Sequence, residues 1–487
     1  MYPLYCVETE VLIYIFELAV HTPPALDVAE HAIKPGIASH VSSPFTPLTL
    51  SHVCKSWRSL SFSLHELWST IYVTNGAHGH IPLFQLWLQN SGNHPLELIF
   101  RDTDGITSEN GPAILEMVKI STSFSTRWKA FKIRISRGTE SGTDLDTVAM
   151  AAFFQDLPTP KLESLAFSFS SSEGDTFNKI WKELAQNSPV LREMQVWATW
   201  VDLRPVVSAF PFHRLTTLSL FCIMVEEDEV LLHLDQCTSL ESLSISFFDI
   251  TMGFPQLTMV TLQRLVRLTL VGCSPTIYAM DNLQLPSLSH LSLHINVPDE
   301  EYREEAQSIR ISAEKMLTRS NANLKSFTLI DANSQFELIW LSLLVHPSLQ
   351  SVEELEFVGQ GDNVFLDALT IPQSDEISSR PIGNKTTNEP QYTLPHLRHI
   401  HLVSYEFTDN LHLLSKTVLS RMNAPHTVAR ISSVSANFTK MEKLQSERAF
   451  WDAEPKLEFV DRRFQPLRAS PLPEPVINDF SMLEDWK

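Results

Sequence analysis

Short stretches of alternating apolar and polar residues recur along the chain between residues 160 and 402. Each follows the pattern apolar-x-x-apolar-x-apolar, as in Leu162-x-x-Leu165-x-Phe167. Alternation of this length predicts β-strands whose apolar positions face a core. A degenerate copy begins earlier, at Trp128. The nine regular copies begin at residues 162, 191, 215, 240, 265, 288, 324, 352 and 397.

The spacing between copies is even in the centre of the chain. Starts at 191, 215, 240, 265 and 288 lie 24, 25, 25 and 23 residues apart, which is the period of leucine-rich repeats. Four copies have the longer form Pro-x-Leu at their start, which the composition would produce roughly 0.4 times by chance. The asparagine that usually follows the strand in such repeats is mostly missing here, so the repeat type is divergent and irregular.

Stretches with helical periodicity lie between the predicted strands. Residues 177–184 and 336–343 carry apolar side chains at i, i+3, i+4 and i+7, which predicts helices. Asp409 resembles an N-cap that opens a further helix. Strands and helices in alternation predict an α/β fold, an irregular leucine-rich-repeat solenoid with parallel strands on its concave face and helices on its convex face.

The N-terminal part of the chain has a different pattern. Residues 50–60 read as one amphipathic helix, because apolar residues recur every three or four positions. A helix that bears a Trp and a Cys is most often simply part of a core. The apolar stripe consists of Leu50, Val53, Cys54, Trp57 and Leu60.

The residues V-C-K-x-W-R at 53–58, with Leu67-Trp68 after them, resemble the second half of an F-box. Residues 7–16 resemble the first half, L-P-x-E-[IVL]-L-x-x-I-F. Glu8 replaces the family's proline, whose fixed φ suits a helix start. Five prolines within 21–47 predict a long loop that splits the resemblance, which covers about 5–73. The matches in the first half are Glu10, Val11, Leu12, Ile15 and Phe16.

A third segment, 87–98, resembles the W-L-x-x-S-G-x-x-P-L-x-L stretch of a large fungal family. In that family a split F-box precedes poorly marked repeats, which is the order found here. As local structure, the segment predicts a helix that ends at Gly92 and a strand that begins after Pro95. The predicted domains are a split F-box-like domain at 5–73, a connecting region with degenerate repeats at 74–150, the solenoid at 151–425 with a polar loop at about 371–393, and a C-terminal tail at 426–487.

An F-box docks its protein onto the Skp-type adaptor and cullin complex of an SCF-type E3 ubiquitin ligase. The resemblance therefore implies a non-catalytic substrate-recognition subunit that holds a target protein on its repeats. Glu8 and the insertion leave an alternative, an adaptor-independent binding scaffold with a vestigial F-box. The residues that the resemblance assigns jointly to adaptor contacts and to the module's own core are Val11, Leu12, Ile15, Phe16, Leu50, Val53, Cys54, Trp57, Leu60, Leu67 and Trp68.

Alternate positions of each predicted strand face the concave, solvent side of such a solenoid. Trp197 and Phe221 lie on adjacent strands, and exposed aromatic side chains are candidate anchors for a target protein. The alternative is that the C-terminal segment covers them. The candidate substrate-binding residues on this face are Trp197, Phe221, Arg267, His290, His294, His399 and His401.

The net charge of −20 argues against binding to nucleic acid or to an anionic membrane surface. It favours a basic protein partner. Acidic runs at 226–229 and 299–305 could steer such a partner. The alternative is that they are solvated helix starts, where carboxylates suit the helix dipole.

Other kinds of function find little support in the sequence. The histidine pairs lack a third zinc ligand nearby, so no metal or cofactor is expected. No nucleotide-binding or hydrolase motif occurs, which leaves an unrecognised hydrolase as the weaker alternative to a non-enzyme. Five cysteines without a C-x-x-C pair suit reduced thiols inside the cell, in cytoplasm or nucleus. The apolar run at 11–16 is too short for a membrane span, and acidic residues precede it, unlike a signal peptide.

Overall fold

The structure is a computed structural model. It divides into two compact units, Met1–Leu240 (unit 1) and Glu241–Lys487 (unit 2). The residues that it describes are 8–21, 36–40, 46–102, 110–135, 147–169, 180, 183–184, 187–198, 212–223, 234–247, 259–272, 279–295, 303–331, 337–358, 363–371, 393–403, 411–425, 427–436 and 458–461.

Unit 1 combines helices with a mostly parallel sheet. Strand β1 pairs antiparallel with β2, and β2 to β7 then pair in parallel, each with the next along the chain. The helices are α1 (Thr9–His21), α2 (Pro47–Ser51), α3 (Lys55–Ser63), α4 (Ile81–Asn90), α5 (Asn110–Thr122) and α6 (Thr147–Phe154). The strands are β1 (Gly36–Ala38), β2 (Thr70–Thr74), β3 (Leu96–Asp102), β4 (Trp128–Ile135), β5 (Ser164–Phe169), β6 (Glu193–Ala198) and β7 (Thr217–Ile223).

Unit 2 repeats the same arrangement. Its main sheet is parallel in the order β8, β10, β12, β13, β14, β15, β16, β17, and β9 pairs with β11 separately. The strands are β8 (Ser242–Phe247), β9 (Val260–Thr261), β10 (Arg267–Val271), β11 (Leu283–Gln284), β12 (His290–Ile295), β13 (Ser326–Asp331), β14 (Glu354–Val358), β15 (His399–Val403), β16 (Ser433–Ala436) and β17 (Glu458–Asp461). The helices are α7 (Arg303–Ser320), α8 (Glu337–Leu344), α9 (Asn363–Leu369) and α10 (Leu411–Met422).

All nine regular sequence copies form strands, and so does the degenerate copy at Trp128. Their apolar positions are buried, as Leu218 and Leu220 show in β7. Consecutive helices pack side by side, α4 to α6 in unit 1 and α7 to α10 in unit 2. The prediction of an α/β fold with parallel strands is therefore confirmed. Strands β16 and β17 extend the pattern past residue 425, into the region predicted to be a tail.

The predicted helices are found where the structure describes them. Helix α8 matches 336–343 and buries Trp340 and Leu343. Of 177–184, Ile180 and Leu184 are buried, Glu183 is half-buried, and the rest lies outside the described residues. Asp409, the acidic run at 226–229 and most of the polar loop at 371–393 also lie outside them. Glu304 and Glu305 occupy the first turn of α7, as expected for a solvated helix start.

Eight strands of the main sheets, β6, β7, β10 and β12 to β16, begin with a shared backbone contact to the residue just before the neighbouring strand. The N–H groups of Ser289 and His290 both donate to the carbonyl oxygen of Val266, at 3.0 Å each. The N–H groups of Arg398 and His399 likewise donate to Glu353, at 2.8 and 2.9 Å. We call this the shared-carbonyl contact. It fixes where each of these strands starts relative to its neighbour.

Candidate protein-docking site

Helix α1 carries apolar side chains on two sides. Phe16 and Val20 point inward and are fully buried. On the outer side, four large apolar side chains are 44–61% exposed and lie at i, i+3, i+4 and i+7. A helix that is apolar on two sides normally has both sides covered. The outer side, which we call the α1 stripe, is therefore suited to a protein partner. The α1 stripe consists of Val11, Tyr14, Ile15 and Leu18.

The inner side of α1 packs on α2 and on a short 3₁₀ helix at His65–Trp68. The Phe16 ring meets Trp57 edge to face, with centroids 4.8 Å apart. The buried Trp68 indole stacks on Phe62 at 5.2 Å and donates its Nε1–H to the Ser61 carbonyl oxygen at 2.8 Å. This aromatic core holds α1 in place, so the orientation of the α1 stripe is fixed by packing.

The prediction of one helix over 50–60 is wrong, because the chain forms two helices there. Helix α2 opens with a capping box between Thr46 and Thr49 and ends at Ser51. Helix α3 begins after Cys54, which is extended and whose Sγ accepts the Trp57 N–H at 3.4 Å. Because the Cys54 side chain takes this N–H, the helix restarts there and does not run through.

The break moves two residues of the predicted stripe to the surface. Val53 is 57% exposed, and Cys54 is exposed beside it. The two helices are held together by Ser61 Oγ, which donates to the Pro47 carbonyl at 2.8 Å, and by Arg58 Nε, which donates to Ser51 at 3.0 Å. Val53 is therefore a fifth exposed, large apolar residue of this helical region, in addition to the four of the α1 stripe.

The structure separates the residues that the resemblance grouped together. Those that are buried can serve only the module's core, since no partner reaches them: Phe16, Leu50, Leu67 and Trp68. Those that are half-buried are Leu12, Trp57 and Leu60. Those that are exposed are Val11, Ile15, Val53 and Cys54. Sequence reasoning missed Tyr14 and Leu18, although the spacing of the α1 stripe was a signal that could have found them.

The segment 87–98 connects this helical region to the sheet. Helix α4 ends at Asn90, and Gly92 has a φ of +53°, as predicted for a glycine that ends a helix. The His65 ring lies against Gly92, since a Cβ there would come within 3.0 Å of it. His65 Nδ1 also hydrogen-bonds the Asn90 carbonyl at 2.6 Å. A residue larger than glycine would be strained at this φ and would force the His65 ring to shift by a few tenths of an ångström.

In unit 1, the two predicted aromatic anchors are neighbours across β6 and β7, with Trp197 opposite Phe221. Phe221 is fully buried, so its prediction as an exposed anchor is wrong. Along β7, the residues on this face of the sheet are Thr217, Ser219 and then Phe221. Phe221 is buried because a position away from the start of the strand has neighbouring side chains on every side. The side chain of Trp197 lies outside the described residues.

In unit 2, the polar face of the sheet is open at one edge. The first residues of successive strands are aligned by register and are half-buried or exposed. We call these the strand-start row: Ser242, Arg267, His290, Ser326, Glu354, His399 and Ser433. The next residues on the same face are buried in β8, β10, β12, β13 and β14: Ser244, Thr269, Ser292, Thr328 and Glu356. The prediction that the whole face is open to solvent is therefore wrong for the second row of these five strands, whereas His401 in the second row of β15 is half-buried.

Glu354 is the acidic member of the strand-start row. Its side chain is 50% exposed, and its Oε1 lies 3.2 Å from His401 Nε2. The hydrogen bond from His401 lowers the pKa of Glu354, and the charges of His399 and His290 add to this. Burial and the charge of Arg267 lower the pKa of His290, which favours its neutral form. At neutral pH the row therefore combines an ionised carboxylate with a neutral imidazole.

His294 lies deeper on the same face and is buried, which corrects its prediction as a surface residue. Its Nε2 hydrogen-bonds Ser292 Oγ at 2.8 Å, and its buried Nδ1 has no partner among the described residues. Burial lowers the pKa of His294 to about 4. In the unfolded chain the His294 imidazole takes up a proton below its ordinary pKa of 6.5, whereas in the folded protein it does so only near pH 4. Folding stability therefore falls as the pH drops from 6.5 towards 4.

Replacement of His294 by Phe should therefore reduce the acid sensitivity of the protein. The single group accounts for a loss of about 2 kcal/mol in unfolding free energy on going from about pH 7 to about pH 5. Denaturant unfolding at the two pH values measures this loss in wild type and in His294→Phe. The exposed His396 offers the control variant His396→Phe. Equal losses in wild type and His294→Phe would show that His294 does not contribute.

Within the part of the chain that the structure describes, no three His, Cys, Asp or Glu side chains group closely enough to hold a metal ion. Among the helices of that part, none combines the length and the apolarity needed to cross a bilayer. The open features are thus the α1 stripe with Val53 and the strand-start row.

Comparisons with known proteins do not assign this chain to a family. No protein-family model matches this chain, and no curated protein matches it significantly. Among solved structures, it is similar to a protein from Bacteroides fragilis that was determined as a structural genomics target. The two share 14% identity with a TM-score of 0.33, over 73% of this chain and 84% of that chain.

Proposed function

We propose that this chain is a non-catalytic, substrate-recognition subunit of an SCF-type ubiquitin ligase. In this proposal its helical region, residues 5–73, is a split F-box that docks on the Skp-type adaptor. The parallel strands and their helices form divergent leucine-rich repeats that hold a target protein. The resemblance of 53–58 and 7–16 to the two F-box halves supplies the identity of the partner.

The observation that carries the proposal is the α1 stripe. Large apolar side chains that remain half exposed cost free energy, and covering each one returns roughly 1 kcal/mol. Val53 adds a fifth such side chain in the same helical region. Monomeric proteins rarely leave such side chains together on one helix face unless a partner covers them.

The departure from the family at Glu8 does not prevent the first helix from forming. The Glu8 carbonyl oxygen accepts the N–H groups of Val11 and Leu12, at 3.1 Å each. The first turn of the helix therefore forms at the expected place with glutamate in the position of the proline. This supports an F-box that still presents its docking surface, as opposed to a vestigial one.

The direct test is co-purification of the full-length chain with a recombinant Skp-type adaptor. We expect a stable complex that also recruits the cullin. Deletion of the N-terminal region is unsuitable as a control, because residues 70–74 form β2 of the sheet; point substitutions in the α1 stripe are better. If the intact chain captures no adaptor, the protein is instead a binding scaffold that works without the ligase.

A further inference from the structure

The strand-start row is the part of the polar face in unit 2 that a partner can reach. Its members have solvent access, while the next residues on the same face are buried in five of the strands. The row runs across the strands, so neighbouring side chains are about 4.8 Å apart. An extended segment of a partner protein that crosses the strands could therefore contact several members at once.

Glu354 is placed to act as the anchor of this row. It lies between Ser326 and His399 in register, so a small hydroxyl group is on one side and an imidazole on the other. Its carboxylate is ionised, since its pKa is lowered, and half of its surface is open. A guest can thus reach the Glu354 side chain while His401 stays in place.

The ring that borders Glu354 in the strand-start row is held in position by a hydroxyl group, since His399 Nδ1 hydrogen-bonds Ser433 Oγ at 2.7 Å. The His290 ring lies two strands away, on the far side of Ser326, and its Nδ1 hydrogen-bonds Ser289 Oγ at 2.7 Å. A fixed ring beside a carboxylate suits a planar guanidinium group, which can pair with the acid while it stacks on the ring. An anionic guest at this position would instead face the charge of Glu354.

The other charged groups on this face do not cancel that preference. Arg267 lies three strands from Glu354, about 14 Å away, which exceeds the distance over which charges act strongly at physiological salt. Strands β13 and β16 contribute serines to the row. Among the side chains that the structure describes, the titratable and charged ones on the face, besides Glu354, are Arg267, His290, His294, Glu356, His399 and His401. Glu458 is in register with Ser433 and lies three strands from Glu354 on the other side.

We propose that the strand-start row binds an arginine-bearing, extended segment of the target protein, with Glu354 as the group that pairs with the guanidinium. This deepens the proposed function, because it names the chemistry of the target, and it rests on that function for calling the guest a ligase target. It also agrees with the acidic net charge of the chain.

The test uses the full-length chain without any adaptor, so its result is independent of adaptor capture. The probe is a fluorescein-labelled peptide of alternating arginine and serine, and binding is followed by fluorescence anisotropy. We expect Glu354→Gln to weaken binding about tenfold, the loss of one charge-assisted pair. A peptide with citrulline in place of arginine has no charge to pair with Glu354. This citrulline peptide should therefore bind wild type and Glu354→Gln equally.

Two further variants separate this site from general electrostatic attraction. Glu353→Gln removes the same charge from the preceding exposed residue, which points to the other side of the strand, and should leave binding unchanged. Ser326→Lys places a cation in register beside Glu354 and should weaken binding as Glu354→Gln does. If Glu353→Gln and Glu354→Gln weaken binding equally, or neither does, the proposal is wrong.

Discussion

Replacement of Ile15 and Leu18 by aspartate is expected to abolish capture of the Skp-type adaptor. Both side chains belong to the α1 stripe and are nearly half exposed. In a complex, each aspartate would be an unpaired charge against apolar partner atoms, which costs several kcal/mol. A loss of about 3 kcal/mol is about a 100-fold weaker affinity. Titration of immobilised adaptor with wild type and with the double variant measures this change.

The double variant should remain folded, since surface substitutions away from caps and cores change stability little. The matched control is Val345→Asp, in which an equally exposed apolar residue of unit 2 acquires the same charge. It should bind the adaptor as wild type does. Undiminished capture by the Ile15/Leu18 variant would show that the α1 stripe is not the docking surface.

The largest expected effect on stability comes from Arg421, a buried residue of α10. Its guanidinium donates to three carbonyl oxygens: Leu369 at 2.8 Å, Thr393 at 2.6 Å and Leu394 at 3.0 Å. Burial lowers the pKa of Arg421 to about 10, so it remains charged at neutral pH. Arg421 thereby joins α10 to the end of α9 and to the turn before β15.

One of those carbonyl groups belongs to a strained residue. Leu394 is fully buried and has a φ of +48°, a left-handed conformation that costs a leucine about 1 to 2 kcal/mol. The bond from Arg421 helps to hold this turn, which leads into β15 and so to His399. Loss of the guanidinium would therefore affect the strand-start row as well as the core.

Arg421→Met is expected to destabilise the protein by about 3 to 5 kcal/mol, because two buried carbonyl groups and one part-buried carbonyl group lose their partner. Methionine keeps much of the side-chain volume, so the loss reports on hydrogen bonding more than on a cavity. The shift of the denaturant unfolding midpoint measures it. Arg430→Met, at an exposed site on the same unit, is the control. Similar shifts for both variants would contradict this role.

The strands were predictable because each contributes two or three large apolar residues at alternate positions. Leu268 and Leu270 must both point to the same side of a strand, and burial of that side follows. The extent of the polar face was not predictable in the same way. Alternation shows that His290 and His294 share a face, yet only the neighbouring strands decide that the first is reachable and the second is not.

The helical region shows the same limit. The sequence predicts that α1 is helical, but its apolar residues cover nearly every direction, so the spacing does not reveal which side faces the core. That choice depends on Trp57 and on the 3₁₀ helix at His65–Trp68. Arg421 had no sequence signal at all, since its three carbonyl partners are 27 to 52 residues away along the chain.

The shared-carbonyl contact has a consequence for how such a protein can change. The strands with this contact take their starting point from a carbonyl at the start of the neighbouring strand, whatever the length of chain between them. The interval before β15 is longer than the interval before β14, yet the Glu353 carbonyl accepts the two N–H groups at the start of β15 just as the Lys325 carbonyl accepts those at the start of β14. Insertions and deletions between strands can therefore accumulate without displacing the row of side chains at the strand starts. A chain of this kind can diversify its loops while the strand-start row, which we propose as the target site, stays aligned.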